Sequence, residues 1–484
     1  MLRMNALPSL VWFRRDLRLQ DHPALQKALE QQSPILPIYI IPPKEGKNGM
    51  GKAQRAYLHH SLLKLQKSLQ KLGSDLYVFQ GLAKDILPAL ASHFKSQQIW
   101  CAQSSNPGCW DEQVQVEKAL SQNQVSLTLC GHPWIVAPNQ VLNQANRPYR
   151  VFTPFWRAAR TTLTFHTQEL SFPITTLPLK KRWERMDFPD LYQPVDHQHW
   201  GLCPEIKWDK RFWDQASPGE EGAWEMLEVF LEGALHGYAK SRDFPDQIGT
   251  SRFSPHLALG EIHPHRLIVE VWQYLQRHPA LQNDVETFLK ELGWREFARH
   301  LFVQNPHLDQ EEFEPNGVQW NEIDPAMEQA WQQGQTGIPM IDAAMRELWQ
   351  TGWMHNRSRM IVADYWCKHL GYDWRRGAKW FKDTLIDWDL ASNTFGWQWA
   401  AGTGADAAPY YRIFNPILQG QKFDPKGHYR YKYVPELKAL TIKQLDEPWK
   451  YAQVFLSPYP LQPIVSPSAG RANALQAWAN RQVV

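Results

Sequence analysis

Ile35-Leu-Pro-Ile-Tyr-Ile-Ile41 is the densest apolar run of the chain, and its reading decides the fold of the first part. It is far shorter than the roughly 18 residues a membrane helix needs, and its branched side chains read as a strand buried on both faces. Four similar runs flank it, at 10–13, 76–79, 98–101 and 125–129, with amphipathic stretches starting near His22, Gly51, Ala83 and Asp111 between them. Strand and helix alternate throughout. That alternation predicts an α/β domain over 1–131, a doubly wound, five-stranded parallel sheet with helices on both faces.

Over 132–204 the period is lost. Pro133, Pro138, Pro148, Pro154, Pro173, Pro178, Pro189 and Pro194 punctuate this stretch, which reads as a long interdomain linker. From 205 to 484 the helical period dominates, at 224–237, 264–277, 285–304, 337–351, 358–369 and 378–385. The second half is therefore expected to be an all-α domain.

Composition bounds the function. With 43% hydrophobic and 21% charged residues the chain is that of an ordinary globular protein. Arg14, Arg15 and Asp16 interrupt the N-terminal apolar stretch, so it does not read as a signal peptide. Five cysteines, an odd number without a C-x-x-C pair, point to reduced thiols and the cytoplasm. Residues 1–200 carry 23 Lys and Arg against 14 Asp and Glu, and the remainder 29 against 35, so the second half is net acidic and any nucleic-acid contact there needs a local basic patch. Eighteen of the 24 tryptophans lie after residue 199, more than core packing requires.

Two motifs are decoys. Gly46-Lys-Asn-Gly-Met-Gly51-Lys52-Ala53 nearly spells a phosphate-binding loop, but Ala53 stands where the hydroxyl that binds Mg²⁺ belongs. Gly402-Thr-Gly404-Ala-Asp-Ala407 fits a relaxed dinucleotide fingerprint without a strand before it. The histidines and cysteines show no zinc or iron–sulfur spacing, so no metal site is expected.

The stretch from Tyr238 to Arg412 is more informative. Thr250-Ser251-Arg252-Phe253-Ser254-Pro255 reads as a helix start, Ser254 as N-cap and Pro255 at the first helical position, where N–H groups and Arg252 can meet a pyrophosphate. Asn356, Arg359 and Met360 share a helical face from which Arg357 points away. Asp387 and Asp389 sit in an apolar context and need partners, Arg359 being the candidate. Each of these features also has a plainly structural reading.

Val11-Trp-Phe-Arg-Arg-Asp-Leu-Arg-Leu19, Phe152-Thr-Pro-Phe155, Gly249-Thr-Ser-Arg-Phe-Ser254, Trp294-Arg-Glu-Phe297, Gly352-Trp-Met-His-Asn356 and Trp397-Gln-Trp-Ala-Ala401 together resemble, in order, the photolyase/cryptochrome family. The resemblance implies an antenna-type α/β domain, a linker and a helical domain holding FAD. It implies FAD contacts from Tyr238, Thr250, Ser251, Arg252, Phe253, Ser254, Arg359, Asp387, Asp389 and Asn393. Glu291, Trp294, Asn356, Met360 and Trp399 match lesion-binding positions, and Arg242, Arg295, Arg357 and Arg412 match positions that contact DNA phosphates. Trp397, Trp374 and Trp320 match the chain that photoreduces oxidised flavin.

Within that family, Asn393 and the Asn356/Met360 turn resemble enzymes repairing cyclobutane pyrimidine dimers rather than (6-4) photoproducts, with a cryptochrome-like receptor as the alternative. The expected partner is UV-damaged DNA, met by a monomer. The antenna chromophore is open: the segment 104–112 lacks the Asn-Glu pair that presents to methenyltetrahydrofolate, so folate held through Glu112, a deazaflavin or no chromophore remain. Lys44, Lys47 and Lys52 could meet an anionic chromophore or simply be solvated. Gly293 departs from the larger aliphatic residue of well-known bacterial enzymes.

Overall fold

Along β1 (Ser9–Phe13) every residue is buried, and alternate side chains serve different cores: Val11 and Phe13 one face, Leu10 and Trp12 the other. The computed structural model describes residues 8–163, 187–407, 411–451 and 459–481. With β2 (Ile35–Ile41), β3 (Tyr77–Gln80), β4 (Gln98–Ala102) and β5 (Ser126–Cys130), β1 forms a parallel sheet in the order β3-β2-β1-β4-β5. Pro37 pairs with Val11 of β1, and pairing to β3 begins only at Ile38, so the residue without an N–H sits at the open end of that ladder. Helices Pro23–Glu30, Lys52–Lys71, Ala83–His93 and Trp110–Ser121 complete the doubly wound unit. No helix is long and apolar enough to cross a membrane among the described residues.

The core on the Val11 face does not stop at the first unit. It includes Leu259, Trp353 and Ile386 from the helical half, so the two halves share buried apolar surface. The linker also holds more order than its prolines suggest. Phe152–Thr162 is a helix that buries Phe152, Phe155 and Trp156 against Gln282–Gln304. Pro154 lies in its first turn, where its missing N–H had no intrahelical partner to lose. Pro173 and Pro178 lie outside the described residues.

The helical half follows its period closely, with Pro264–Arg277, Gln282–Gln304, Pro339–Thr351, Asn356–Asp364 and Trp374–Thr384 where they were expected. Two of the expected helices end in a π turn, Phe230–Ala234 and Tyr365–His369. Leu390–Ala401, read only as a segment lacking a strand, is a largely buried helix closed by Gly402 in the left-handed conformation. Gly402 is thus a helix C-cap.

Candidate active site

Two consecutive residues, Arg242 and Asp243, clip two helices together. Arg242 pairs with Glu291 of Gln282–Gln304 at 2.7 Å, and Asp243 with Arg357 of Asn356–Asp364 at 2.8 Å. Glu291, Asn356 and Met360 thereby share one rim. Burial pushes the Glu291 carboxyl above its ordinary range, while Arg242 pulls it back. Asn356 is exposed, with its amide 3.9 Å from the Met360 sulfur. Arg357 does not point away as its helical position suggested: its guanidinium lies 3.8 Å from that sulfur and 4.2 Å from the centre of the Phe423 ring. His355 caps this helix, its Nδ1 accepting the Arg357 N–H at 3.1 Å.

Trp294 is only half available for stacking. One face lies on Phe152 with ring centroids 3.5 Å apart and 12° between planes. The Gly293 beside it has a packing cause: a Cβ there would fall 2.4 Å from a ring carbon of Trp156. Trp399 and Arg412 meet through Phe414, whose ring is 6.3 Å from the Trp399 ring and 4.9 Å from the Arg412 guanidinium.

Deeper in, Arg359 holds Asp387 at 2.6 Å and also donates to the Met354 carbonyl at 2.8 Å. Asp389 has a different partner from the one expected: Arg299 reaches it at 2.8 Å from 90 residues away. Burial opposes ionisation of Asp389, but Arg299 and Arg295 outweigh it and hold the carboxyl well below the usual range. The same carboxylate caps Leu390–Ala401 by accepting from Ser392 N at 3.0 Å. Asn393 donates to the Ala378 carbonyl at 3.1 Å, which fixes its amide.

The helix start at 250–254 needs three corrections. Ser254 is the first helical residue, not the N-cap, and its hydroxyl accepts from the Trp353 indole at 3.2 Å. Arg252, at a positive φ of 57°, lies 3.6 Å over the Trp353 ring instead of extending to an anion. Phe253 turns its side chain into the core beside Phe230, leaving only its backbone for a ligand. Thr250 and Ser251 are half-buried, Ser254 is exposed and Tyr238 is buried.

Arg295 also lies elsewhere than expected. It does not join Arg242 and Arg357 but donates to the Leu257 carbonyl at 3.4 Å and, with Arg15, Arg18 and Arg299, lines a cavity of about 60 Å³ at the seam between the sheet and the helices. Burial, reinforced by Arg299, pushes its guanidinium down to about 9. The Gly46 loop is no anion site either, since Lys47 donates to the Pro306 carbonyl and Asn48 to Glu112, at 2.8 and 3.0 Å. Glu112 is thus engaged by the protein itself, and Lys44 and Lys52 are exposed.

Trp397 and Trp374 are buried and Trp320 half-buried. Trp397 lies over Gly377, where a Cβ would fall 2.2 Å from its ring, so the helix Trp374–Thr384 can approach closely. Sequence reading missed Trp331, whose ring is 6.3 Å from Trp397 and 4.6 Å from Trp366, and Glu312, whose carboxyl faces both Trp374 and Trp320. It also missed Asp243 and Arg299. Nothing local marks Arg299, whereas Asp243 adjoins an arginine that was singled out.

One feature asks for a ligand such as FAD. Asp387 is buried and its Oδ1 has no hydrogen-bond partner among the described residues, while its Oδ2 is held by Arg359. An N–H donor from a bound heterocycle would complete it.

Residues 288–480 match the model for the FAD binding domain of DNA photolyase, and residues 9–174 the model for DNA photolyase. A deoxyribodipyrimidine photo-lyase of Agrobacterium fabrum is 40% identical over 492 residues, covering 99% of each chain. The crystal structure of a bacterial class III photolyase from Agrobacterium tumefaciens superposes with a TM-score of 0.89 at 40% identity, covering 99% of this chain and 98% of that one. A Synechocystis cryptochrome gives 0.83 at 29% identity, covering 98% and 100%. Similarity that runs at this identity through both halves and across the seam leaves one conclusion: the chain belongs to the DNA photolyase family, with FAD as its cofactor.

Proposed function

We propose that this chain is a deoxyribodipyrimidine photolyase that splits cyclobutane pyrimidine dimers in UV-damaged DNA under blue light, acting as a monomer in the cytoplasm. The observation that carries it is the double clip: Arg242 holds Glu291, and the adjacent Asp243 holds Arg357 of the helix on which Asn356 and Met360 lie side by side. Asn356 and Met360 are not proton donors of the kind (6-4) repair needs. The free cysteines among the described residues suit a reducing compartment.

Bound FAD in its reduced state supplies the electron that light drives into the dimer and that returns after ring opening, so the protein's part is binding, orientation and electrostatics. Arg359 and Asp387, Asp389, Asn393, Tyr238 and the 250–254 turn would hold it. Glu291 accepts a hydrogen bond from the edge of a dimer flipped out of the duplex, and the half-buried Trp294 offers its ring a stacking surface. Arg242, Arg357 and Arg412 take the flanking phosphates, supplying the local basic patch that an acidic half otherwise lacks. Trp397, Trp374 and Trp320 carry the electron that restores oxidised flavin. We divide the chain at 1–131, 132–204 and 205–484, the linker's helix docking on the third part. The antenna pocket stays open among a methenyltetrahydrofolate, a deazaflavin and no chromophore, with Glu112 already accepting from Asn48.

The test is repair of an oligonucleotide with a single thymine dimer by chemically reduced protein, in blue light and in darkness. Light-dependent recovery of the thymines is expected. No recovery by flavin-loaded protein would reject the reading and leave (6-4) substrates, then signalling. A Trp320→Phe variant is expected to photoreduce oxidised flavin at least about tenfold more slowly, and an unchanged rate would remove Trp320 from the chain.

A further inference from the structure

We infer that the Arg242–Glu291 ion pair is a specificity switch, in which Arg242 is withheld from DNA phosphate until a damaged base takes over Glu291. The inference rests on the proposed repair of pyrimidine dimers and adds a coupling between its two kinds of contact.

The pair is short, 2.7 Å, and both side chains are part-covered, Arg242 with 22% and Glu291 with 29% of its surface exposed. Other charged groups facing Glu291 among the described residues include Asp243, Arg357 and Lys290, and Arg357 is itself engaged by Asp243. Arg242 is thus the partner that neutralises Glu291. The Arg242 guanidinium also lies 5.8 Å from the Tyr238 ring, which holds it inward.

An undamaged duplex offers phosphates but no extruded base. If Arg242 turned to a phosphate there, Glu291 would be left as a carboxylate covered by DNA and without a donor, and an uncompensated charge at an interface is costly. A flipped pyrimidine dimer changes that balance. Its N3–H groups can donate to Glu291, so the carboxylate stays satisfied while Arg242 swings to the backbone. One more phosphate is then neutralised in the damaged complex than in the undamaged one. Phosphate binding, normally blind to sequence and damage, is made conditional on the lesion.

The flavin-loaded wild-type protein provides the first test, by fluorescence anisotropy with duplexes that differ by one thymine dimer, across a range of salt. The slope of log affinity against log salt should be steeper for the damaged duplex by about 0.9, the value of one phosphate contact. Equal slopes would overturn the inference. In Glu291→Gln, which no longer holds a charge against Arg242, undamaged DNA should bind about three- to tenfold more tightly, with its slope rising by about 0.9. Arg242→Gln should abolish that gain when combined with Glu291→Gln. Tightening that persists in the Arg242→Gln background would show plain charge repulsion and overturn the switch, as would an undamaged affinity that Glu291→Gln leaves unchanged. If wild-type protein does not prefer the damaged duplex at all, the repair reading fails instead.

Discussion

The seam and the rim of this molecule are held by the same chemistry under different exposure. At the seam, Arg299 and Asp389 meet at 2.8 Å with 4% and 9% of their side chains exposed. At the rim, Arg242 and Glu291 meet at 2.7 Å with 22% and 29% exposed. Nearly equal distances conceal unequal consequences. A buried pair cannot exchange partners, because stripping either member leaves a charge in an apolar surround. A half-exposed pair is screened, contributes little to stability, and can trade its partner for a phosphate or a base. The seam pair therefore fixes Asp389 in place as part of the fold, whereas the rim pair is free to change partners in function.

The hardest blow to that contrast would come from Arg299→Met. Leaving Asp389 buried without the arginine that bonds it should cost about 3–5 kcal/mol in chemical unfolding. A loss below about 1 kcal/mol would place the seam pair in the same class as the rim. The acid limb gives the sign independently. The folded Asp389 carboxyl lies below its unfolded range, so its contribution is present above a pH of about 4 and is lost as pH falls through the folded value.

His355 sharpens the comparison, since it is a buried group that supports the rim. Burial, with Arg252 adding to it, lowers its imidazole to about 3, and the neutral ring caps the Asn356 helix. Because the unfolded chain takes up this proton near 6.5, stability is complete above that pH and declines as pH falls towards 3. At pH 5 the loss attributable to His355 should be about 2 kcal/mol. His355→Asn, which keeps a capping oxygen without titrating, should flatten the dependence of the unfolding free energy between pH 7 and 5 by that amount. An unaltered slope would mean that other buried histidines carry it.

How much of this the sequence disclosed depended on how local the cause was. The strand at 35–41 was legible to the residue, because burial on both faces writes itself as one continuous apolar run. The helix Phe152–Thr162 was not, because a proline in a first turn looks the same in sequence as one that breaks a helix. At the site, Arg359 and Asp387 could be paired by reading, but Asp389 could not be matched to Arg299, since nothing in one sequence marks a contact across 90 residues. Arg295 misled for the opposite reason. The resemblance places it among the phosphate contacts, yet its guanidinium turns to the Leu257 carbonyl and the seam.

The smallest effect separates the two rim pairs from each other. Asp243 has 38% of its side chain exposed, and its partner Arg357 is also stacked over Phe423, so the arginine stays in place when the carboxylate is removed. Asp243→Asn should therefore cost less than about 1 kcal/mol in unfolding, and less still in high salt. Its effect on DNA should also differ in kind from that of Glu291→Gln. Asp243 reads no base, so losing its charge should tighten damaged and undamaged duplexes by the same factor and leave their ratio intact. A ratio that falls with Asp243→Asn would show that both halves of the clip sense the lesion. A ratio that holds confines discrimination to the pair whose carboxylate a pyrimidine edge can satisfy.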